Sequence, residues 1–412
     1  MAILFIDLDG FKNVNDNIGH QAGDDLLVAV GSRITKMLRP ADTLARLSGD
    51  EFIIVCEDLE EEGQIEGIAA RLVEAIASPF NLNGFAVEVS ASIGIAFAGQ
   101  GNDPEHLLHK ADVAMYQAKR KGGAHHQVID ISEQDLNEFT ESLRMDLPYA
   151  VQRNELRLEY QPIVRTSDGR ILCVEALLRW DHPSRGLIAP AILIPMAEQS
   201  GDIVGIGKWV LEHACIDRHR WEGKTGDRAL TMAVNVSARQ LIAPGFVAMV
   251  TDVLSSADTM AAQLCLEITE SVFIRDARLA TTVLSQLKEL GIQMALDDFG
   301  MGYSSLSYLR QFPVDVIKID QSFIADLTAH AASHAIVLKT IELAHLLDLT
   351  VVCEGVETAE QDRHVTALTS DFSQGYFYAP PMTAEMLDDI MSPVDTVWMA
   401  AAGVSSDRAA AG

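Results

Sequence analysis

Six short apolar segments in the second half of the chain each carry charged or amide side chains near their ends, and helical stretches separate them. Strands that alternate with helices form a parallel sheet. When such a sheet closes into a barrel, the carboxyl ends of its strands form the active face. Five carboxylates, an amide and an amine on that rim predict a site for hard divalent cations and a phosphate-sized substrate. The side chains concerned are Glu175, Asn235, Glu267, Asp297, Asp298, Lys318 and Glu354.

The composition limits the classes of partner. The chain has 412 residues and a formal net charge of −28 at pH 7, which disfavours long nucleic acids and anionic membranes as partners. A small anionic substrate would therefore depend on metal and a few local cations. No membrane span or signal peptide is expected, because Asp7 and Asp9 interrupt the first apolar stretch. The five cysteines are scattered, which predicts reduced, buried thiols and a cytoplasmic protein.

The pattern of elements divides the chain into two domains. Residues 1–128 alternate short strands and helices, residues 129–139 are a polar linker, and residues 140–392 carry the barrel pattern. The tail 393–412 is rich in alanine, serine and glycine and is predicted to be disordered. Because the chain opens directly on a strand of the core type, we expect that the first domain lacks its usual beginning.

The first domain carries its own group of acids. One apolar strand ends in Asp7-Leu8-Asp9, and Ser48-Gly-Asp50-Glu51 lies between two further apolar runs, which predicts a hairpin with acids at its tip. Asp7 and Asp50 on adjacent strands would be able to hold Mg²⁺ against a triphosphate. The alternative reading is that these hairpin acids are only solvated.

Two segments, residues 5–24 and 48–52, resemble the GGDEF family of diguanylate cyclases, and the resemblance covers about residues 1–128. It implies an α+β fold like that of nucleotide cyclases and polymerase palms. It also implies metal ligation by Asp7, the Leu8 carbonyl and Asp50, guanine recognition by Asn15 and Asp24, and a phosphate contact from Lys119.

The same resemblance places Arg39 and Asp42 at the spacing of the family's inhibitory site for cyclic di-GMP. The chain departs from the family pattern at Ser48, which replaces a glycine, and in having no helical segment ahead of the first strand. We therefore expect this domain to bind GTP and regulate, rather than to synthesise cyclic di-GMP.

The second half resembles the EAL family of cyclic di-GMP phosphodiesterases over about residues 140–392. Its motifs are Tyr160-Gln161-Pro-Ile, Glu175-Ala-Leu-Leu-Arg179, Asn235-Val-Ser, Glu267-Ile-Thr-Glu270, Asp297-Asp298-Phe-Gly, Lys318-Ile-Asp320, Glu354-Gly-Val-Glu and Gln374-Gly-Tyr. The resemblance implies a modified TIM barrel, so that the whole chain is of the α/β class.

The EAL resemblance also implies residue roles. One metal would be held by Glu175, Asn235, Glu267 and Asp297, and a second by Asp297 and Asp298 with Glu354 close by. Lys318 would position or deprotonate the attacking water, and Glu270 would anchor the loop that follows Asp298. The substrate contacts would be Arg179, Gln374 and Gln161.

These observations favour an enzyme that hydrolyses cyclic di-GMP to linear pGpG with Mg²⁺ or Mn²⁺. A homodimer through the barrel domain is expected, with cyclic di-GMP and GTP as ligands. Two alternatives remain open: a bifunctional enzyme that also makes cyclic di-GMP, and a receptor that binds the nucleotide without turnover. A receptor should have lost metal ligands, and the barrel half retains all of them.

Overall fold

The computed structural model of the chain divides into two compact units, Met1–Asp146 and Leu147–Gly412. It describes residues 1–11, 14, 20–48, 50–57, 63–82, 85–98, 104–120, 126–127, 133–225, 230–269, 272–300, 312–328 and 331–391. The expected linker, residues 129–139, overlaps the start of a helix, Glu133–Asp146, which belongs to the first unit. The predicted domain limits remain predictions.

The first unit is built on a sheet of five strands in the order β2-β3-β1-β6-β7, with β1 antiparallel to both of its neighbours. A separate hairpin joins β4 and β5. The strands are β1 (Ala2–Asp9), β2 (Thr43–Ser48), β3 (Glu51–Cys56), β4 (Phe80–Leu82), β5 (Phe85–Val87), β6 (Ser90–Phe97) and β7 (His126–Gln127). The helices are α1 (His20–Thr35), α2 (Gly63–Ala77), α3 (Pro104–Arg120) and α4 (Glu133–Asp146).

Side-chain alternation along β1 divides this unit into two cores. Leu4 and Ile6 face a large apolar cluster that contains the buried residues of α1 and α2. Ile3 and Phe5 face the opposite way, onto a smaller cluster with the apolar residues of α3. Since successive strand residues point to opposite faces, Asp7 continues the α3 side, where Lys119 meets it.

Helix α3 lies unusually close to the sheet at Gly94 of β6. A Cβ atom at this position would be 2.0 Å from the backbone nitrogen of Met115 and 2.2 Å from the carbonyl oxygen of Ala111. No real side chain tolerates such distances to backbone atoms, so only glycine allows α3 to pack here. This close approach sets the height of the α3 side chains above β1.

The second unit is a closed barrel of eight strands. Neighbouring strands pair in parallel, except that β8 is antiparallel to both β9 and β16 and closes the ring between them. This antiparallel strand is the departure from a regular (β/α)₈ barrel. The strands are β8 (Leu156–Arg165), β9 (Ile171–His182), β11 (Thr231–Asn235), β12 (Leu264–Thr269), β13 (Gln293–Phe299), β14 (Val316–Ile319), β15 (Thr350–Cys353) and β16 (Phe372–Ser373), while β10 (Gly186–Ile188) extends β9 outside the ring.

Helices between the strands cover the barrel. Two of these helices begin with a capping side chain. Ser237 and Thr358 each accept a hydrogen bond from the backbone N–H of the third helical residue, which would otherwise have no partner in the helix. The helices are α5 (Pro190–Ser200), α6 (Ile203–Thr225), α7 (Ala238–Leu241), α8 (Phe246–Ser256), α9 (Val272–Glu289), α10 (Gln321–Ala325), α11 (Ala331–Leu346), α12 (Ala359–Ala367) and α13 (Ala384–Ile390), with 3₁₀ turns at Leu147–Tyr149 and Ala261–Gln263.

Inside the barrel the side chains form layers, because every second residue of a strand points inward. One packed apolar group, which we call the middle layer, lies halfway along the barrel; its members are Ile163, Cys173, Ala233, Cys265, Ala295, Val316, Val352 and Phe372. Two positions further along most of these strands come the predicted ligands, as in Cys173 and Glu175 or Ala295 and Asp297. The period of two therefore places the ligands in one layer above the middle layer.

Two further expectations concern the cysteines and membrane-spanning helices. Four of the five cysteines are buried, Cys173 is partly exposed, and none is in a disulfide. Within the described ranges, no helix is both long and apolar enough to cross a bilayer.

Candidate active site

The predicted ligands of the barrel meet at the carboxyl ends of the parallel strands. Asn235 is the last residue of β11, Lys318 is the third of four in β14, and Glu354 directly follows β15. Glu175 and Glu267 lie deeper, within β9 and β12, and are 5% and 2% exposed. Short parallel strands with an apolar start and a polar end produce this arrangement.

Lys318 lies at the centre of the group. Its ammonium nitrogen is 2.7 Å from a carboxylate oxygen of Glu354 and 2.8 Å from one of Glu267. Oxygens of Asp297 and Glu175 follow at 3.4 Å and 3.5 Å. The lysine itself is only 1% exposed. A buried ammonium surrounded by four carboxylates is the electrostatic core of the site.

The charges of this group perturb one another. Burial favours the neutral lysine, but the surrounding carboxylates outweigh it and raise the pKa of Lys318 well above its usual value. Burial and the charge of Glu175 raise the pKa of Glu267. Burial also raises the pKa of Glu354 to about 8, with Asp297 and Glu175 adding to the shift. The surrounding carboxylates therefore favour the charged form of Lys318, which donates a hydrogen bond to Glu267.

Glu175 is held by amide donors. Burial alone would raise its pKa, but Lys318 and the side chains of Gln374 and Asn235 together keep the pKa below its usual value. Asn235 Nδ2 donates to one Glu175 oxygen at 2.6 Å, and Gln374 Nε2 donates to the other at 2.7 Å. The same Gln374 amide is 2.9 Å from Gln161 Oε1. Glu175 is thus the carboxylate of the site that is held ionised.

Three acids lie close enough to share a cation. One carboxylate oxygen each from Asp297, Asp298 and Glu354 lies within 4.8 Å of the others. Asp298 has a positive φ of 54°, a conformation that costs energy for a residue with a Cβ. Gly300 follows with φ of 104°. The strained turn after Asp297 is what brings the two consecutive aspartates to the same rim.

A cavity of about 330 Å³ opens beside this group, between β9, β11 and helices α5 and α6. Arg179, Asn235 and Glu267 form its polar side, and apolar residues such as Ile194 and Ile206 form the other. Arg179 is oriented by Glu159, whose Oε2 accepts from Arg179 Nε at 2.7 Å. Glu159 was not predicted from the sequence. Its alternation with buried Leu158 and Tyr160 was the available signal that it shares a strand face with Gln161, one of the expected substrate contacts.

The acids of the first domain also meet. Lys119 Nζ donates to Asp7 Oδ1 at 2.6 Å, and burial together with the charge of Asp7 raises the pKa of Asp50 to about 6. The backbone N–H of Leu8 donates to the Asp50 carbonyl oxygen at 3.2 Å. Asp112 was not predicted from the sequence. Burial and the charges of Glu51 and Asp7 raise its pKa to about 7. Asp112 precedes Lys119 by seven residues, a spacing that puts both on one helix face.

The remaining predicted residues lie either outside the described ranges or on the exposed surface. Asn15, the side chain of Asp24 and Glu270 lie outside the described residues. At the expected inhibitory site, the backbone N–H of Arg39 donates to Asp42 Oδ2 at 3.0 Å on the exposed surface. That contact closes a turn and neither supports nor contradicts a nucleotide site.

Comparison with known proteins gives the following matches. The model of the EAL domain matches residues 144–381, and that of the diguanylate cyclase, GGDEF domain matches residues 1–125. The bifunctional diguanylate cyclase/cyclic di-GMP phosphodiesterase MucR of Pseudomonas aeruginosa is 42% identical over 388 residues, which make up 94% of this chain and 56% of that protein. The cyclic di-GMP phosphodiesterase NbdA of the same species is 37% identical over 394 residues, 95% of this chain and 50% of that protein.

Among solved structures, one titled PaMucR Phosphodiesterase, c-di-GMP complex is 42% identical with a TM-score of 0.57, and the match covers 60% of this chain and 99% of that one. The chain spans about half the length of the curated relatives it matches.

Proposed function

The chain belongs to the EAL domain family, with a GGDEF domain ahead of the barrel, and from that premise we propose that it hydrolyses cyclic di-GMP to linear pGpG. The observation that carries the proposal is the buried group around Lys318. Its ammonium lies within 3.5 Å of four carboxylates. When all five groups are ionised, three negative charges remain without a partner inside this group. Buried charge of that kind needs added cations or protons.

The donor atoms suit Mg²⁺ or Mn²⁺. The candidate ligands offer carboxylate and amide oxygens, which hard divalent cations prefer, and no thiol or imidazole is among them. We propose Glu175, Asn235, Glu267, Asp297, Asp298 and Glu354 as the residues that hold the metal. Bound there, divalent cations would lower the pKa of water and offset charge on the phosphodiester.

The other residues of the site have separate tasks in this proposal. Lys318 keeps Glu267 and Glu354 in place through its two short contacts and contributes a fixed positive charge near the reacting phosphate. Gln374 and Asn235 each donate a hydrogen bond to one Glu175 oxygen, which fixes the orientation of the carboxylate and leaves further lone pairs for metal. Arg179, held by Glu159, presents its guanidinium at the edge of the cavity of about 330 Å³. That cavity, with one apolar wall and one polar wall, suits a guanine base.

We further propose that the GGDEF domain binds GTP and regulates the barrel. The support is that Lys119 donates to Asp7, and that burial and the charge of Asp7 raise the pKa of Asp50. The bifunctional alternative has specific support, since MucR carries both activities in its name. A receptor without turnover is disfavoured, because every barrel ligand predicted from the sequence is present in the cluster.

One experiment separates these functions. The chain is incubated with cyclic di-GMP and, separately, with GTP, each with Mg²⁺ or Mn²⁺, and the nucleotides are separated by chromatography. Formation of pGpG that stops on chelation supports the phosphodiesterase. Binding of cyclic di-GMP without any pGpG would replace it by the receptor.

Synthesis is tested in a Glu175→Ala variant, in which hydrolysis cannot remove the product. Accumulation of cyclic di-GMP from GTP in that variant would establish the bifunctional enzyme and overturn the regulatory role of the first domain. Asp50→Asn in the same background is the control, because it removes one proposed metal ligand of the GGDEF site and should abolish any synthesis. If synthesis occurs, Arg39→Ala tests the inhibitory site, since it should raise the final level of product.

A further inference from the structure

A second cavity, of about 300 Å³, occupies the lower half of the barrel. Its walls are the middle layer, and its mouth is formed by the first residues of the strands, such as Thr231, Gln293 and Thr350. The mouth therefore opens at the amino-terminal ends of the parallel strands, on the side opposite to the catalytic rim. At the inner end of this cavity lies Glu267.

The cavity exists because the middle layer is built from small residues. TIM-barrel interiors are usually filled by bulky branched side chains, which leave a packed core and no pore. Here Cys173, Ala233, Cys265 and Ala295 stand at four inward positions of neighbouring strands. Each is smaller than the valine or leucine that would fill the space. The volume reaches the lower limit of small-molecule pockets, about 300 Å³.

The lining determines what the cavity would accept. The walls are apolar side chains and the thiols of Cys173 and Cys265. The two acidic side chains of the lining lie at opposite ends of the cavity. Asp315, which is paired with Lys288, lies near the mouth, and Glu267 lies at the inner end. An anion would be repelled from the inner end, and burying an isolated charge against the apolar wall is costly. Apolar protein cavities of only about 150 Å³ already bind benzene.

We propose that this cavity is a second ligand site, for a small neutral molecule with an apolar body and one hydroxyl or N–H group, of the phenol or indole class. The apolar body would lie against the middle layer, and the donor would face the carboxylate of Glu267. The ligand enters from the end of the barrel opposite to the cyclic di-GMP site, so the two bind at the same time. Glu267 borders both cavities and is the physical link between them.

The test uses 4-fluorophenol as the probe and the full chain, with binding followed by fluorine NMR. Saturable binding to the wild type is expected. Ala233→Leu and Ala295→Leu each add three carbon atoms inside the cavity and should weaken binding about tenfold or more, because the added side chain occupies the volume of the probe. Ala335→Leu, on the exposed surface of α11, is the matched control and should bind the probe like the wild type.

Circular dichroism and melting curves establish that each variant is folded, and Ala233→Val, with two added carbons, replaces a leucine variant that does not fold. Three results would overturn the proposal: no saturable binding to the wild type, equal binding to the cavity-filled variants, or displacement of the probe by cyclic di-GMP, added with Ca²⁺ because this larger ion is expected to inhibit hydrolysis. The last would place the probe in the substrate cavity. Because the readout is binding of the probe, it is independent of whether the chain hydrolyses cyclic di-GMP.

Discussion

Replacing Lys318 by methionine isolates the role of the central ammonium. Methionine keeps a long unbranched side chain, so the change removes the charge with little change in volume. In the native site the ammonium nitrogen lies 2.7–3.5 Å from four carboxylates and is shielded from water. Breaking a buried ionic group by deleting one partner costs about 3–5 kcal/mol. We expect the metal-free barrel to lose about 3 kcal/mol of unfolding free energy at pH 8.

Metal affinity should change in the opposite direction. The ammonium repels any cation placed among the same carboxylates, and at about 4 Å two unit charges interact by about 4 kcal/mol near a protein surface. Without it, the Mn²⁺ concentration for half-maximal activity should fall at least about tenfold, which requires only about 1.4 kcal/mol of that repulsion. Turnover at saturating Mn²⁺ should nevertheless fall by about 10²-fold or more, the usual effect of removing one preorganised electrostatic group.

The assay is pGpG formation from cyclic di-GMP over a Mn²⁺ titration, with thermal melting of the same samples. Lys339→Met is the matched control, since Lys339 is exposed on α11 and pairs with Glu342; it should leave turnover and metal dependence unchanged. Near-normal turnover of Lys318→Met at saturating metal would refute the central role of the ammonium, and weaker Mn²⁺ binding would refute the electrostatic argument.

Three further predictions concern other parts of the molecule. Glu267→Gln should lower turnover about 10²-fold. The melting temperature without metal should change little, because the substitution also removes the repulsion between Glu267 and Glu175. Near-normal turnover would show that Glu267 is not a metal ligand. Gly94→Ala should destabilise the first domain by about 2 kcal/mol in denaturant titrations, because the added Cβ would clash with the backbone of α3. Gly67→Ala on α2 is the control; the space around Gly67 is open, so this change should be neutral or stabilising. Burial raises the pKa of Cys353 to about 12, so its thiol is protonated at pH 8. Iodoacetamide should therefore label Cys353 only after the chain unfolds. Rapid labelling of the native chain, detected by mass spectrometry, would contradict this.

The sequence by itself was sufficient for the fold class and for the grouping of polar side chains at one rim of the barrel. Apolar segments that end in Asn235, Glu267 or Asp297 can only expose those groups at a strand end, and parallel strands bring such ends to one rim. The GGDEF and EAL motifs were equally readable, because each is a run of specific residues at short spacing. The predicted hairpin with Asp50 and Glu51 at its tip was confirmed for the same local reason.

Only the tertiary structure decided which groups touch. Lys318 was expected near the attacking water, but its place among four carboxylates depends on the registers of β9, β12, β13, β14 and β15. Asp112 meets the GGDEF acids because Gly94 lets α3 approach the sheet. The lower cavity arises from small residues on strands that are far apart in the sequence. Local patterns determine the direction in which a side chain points, while long-range strand pairing determines what it meets there, and no single segment contains that information.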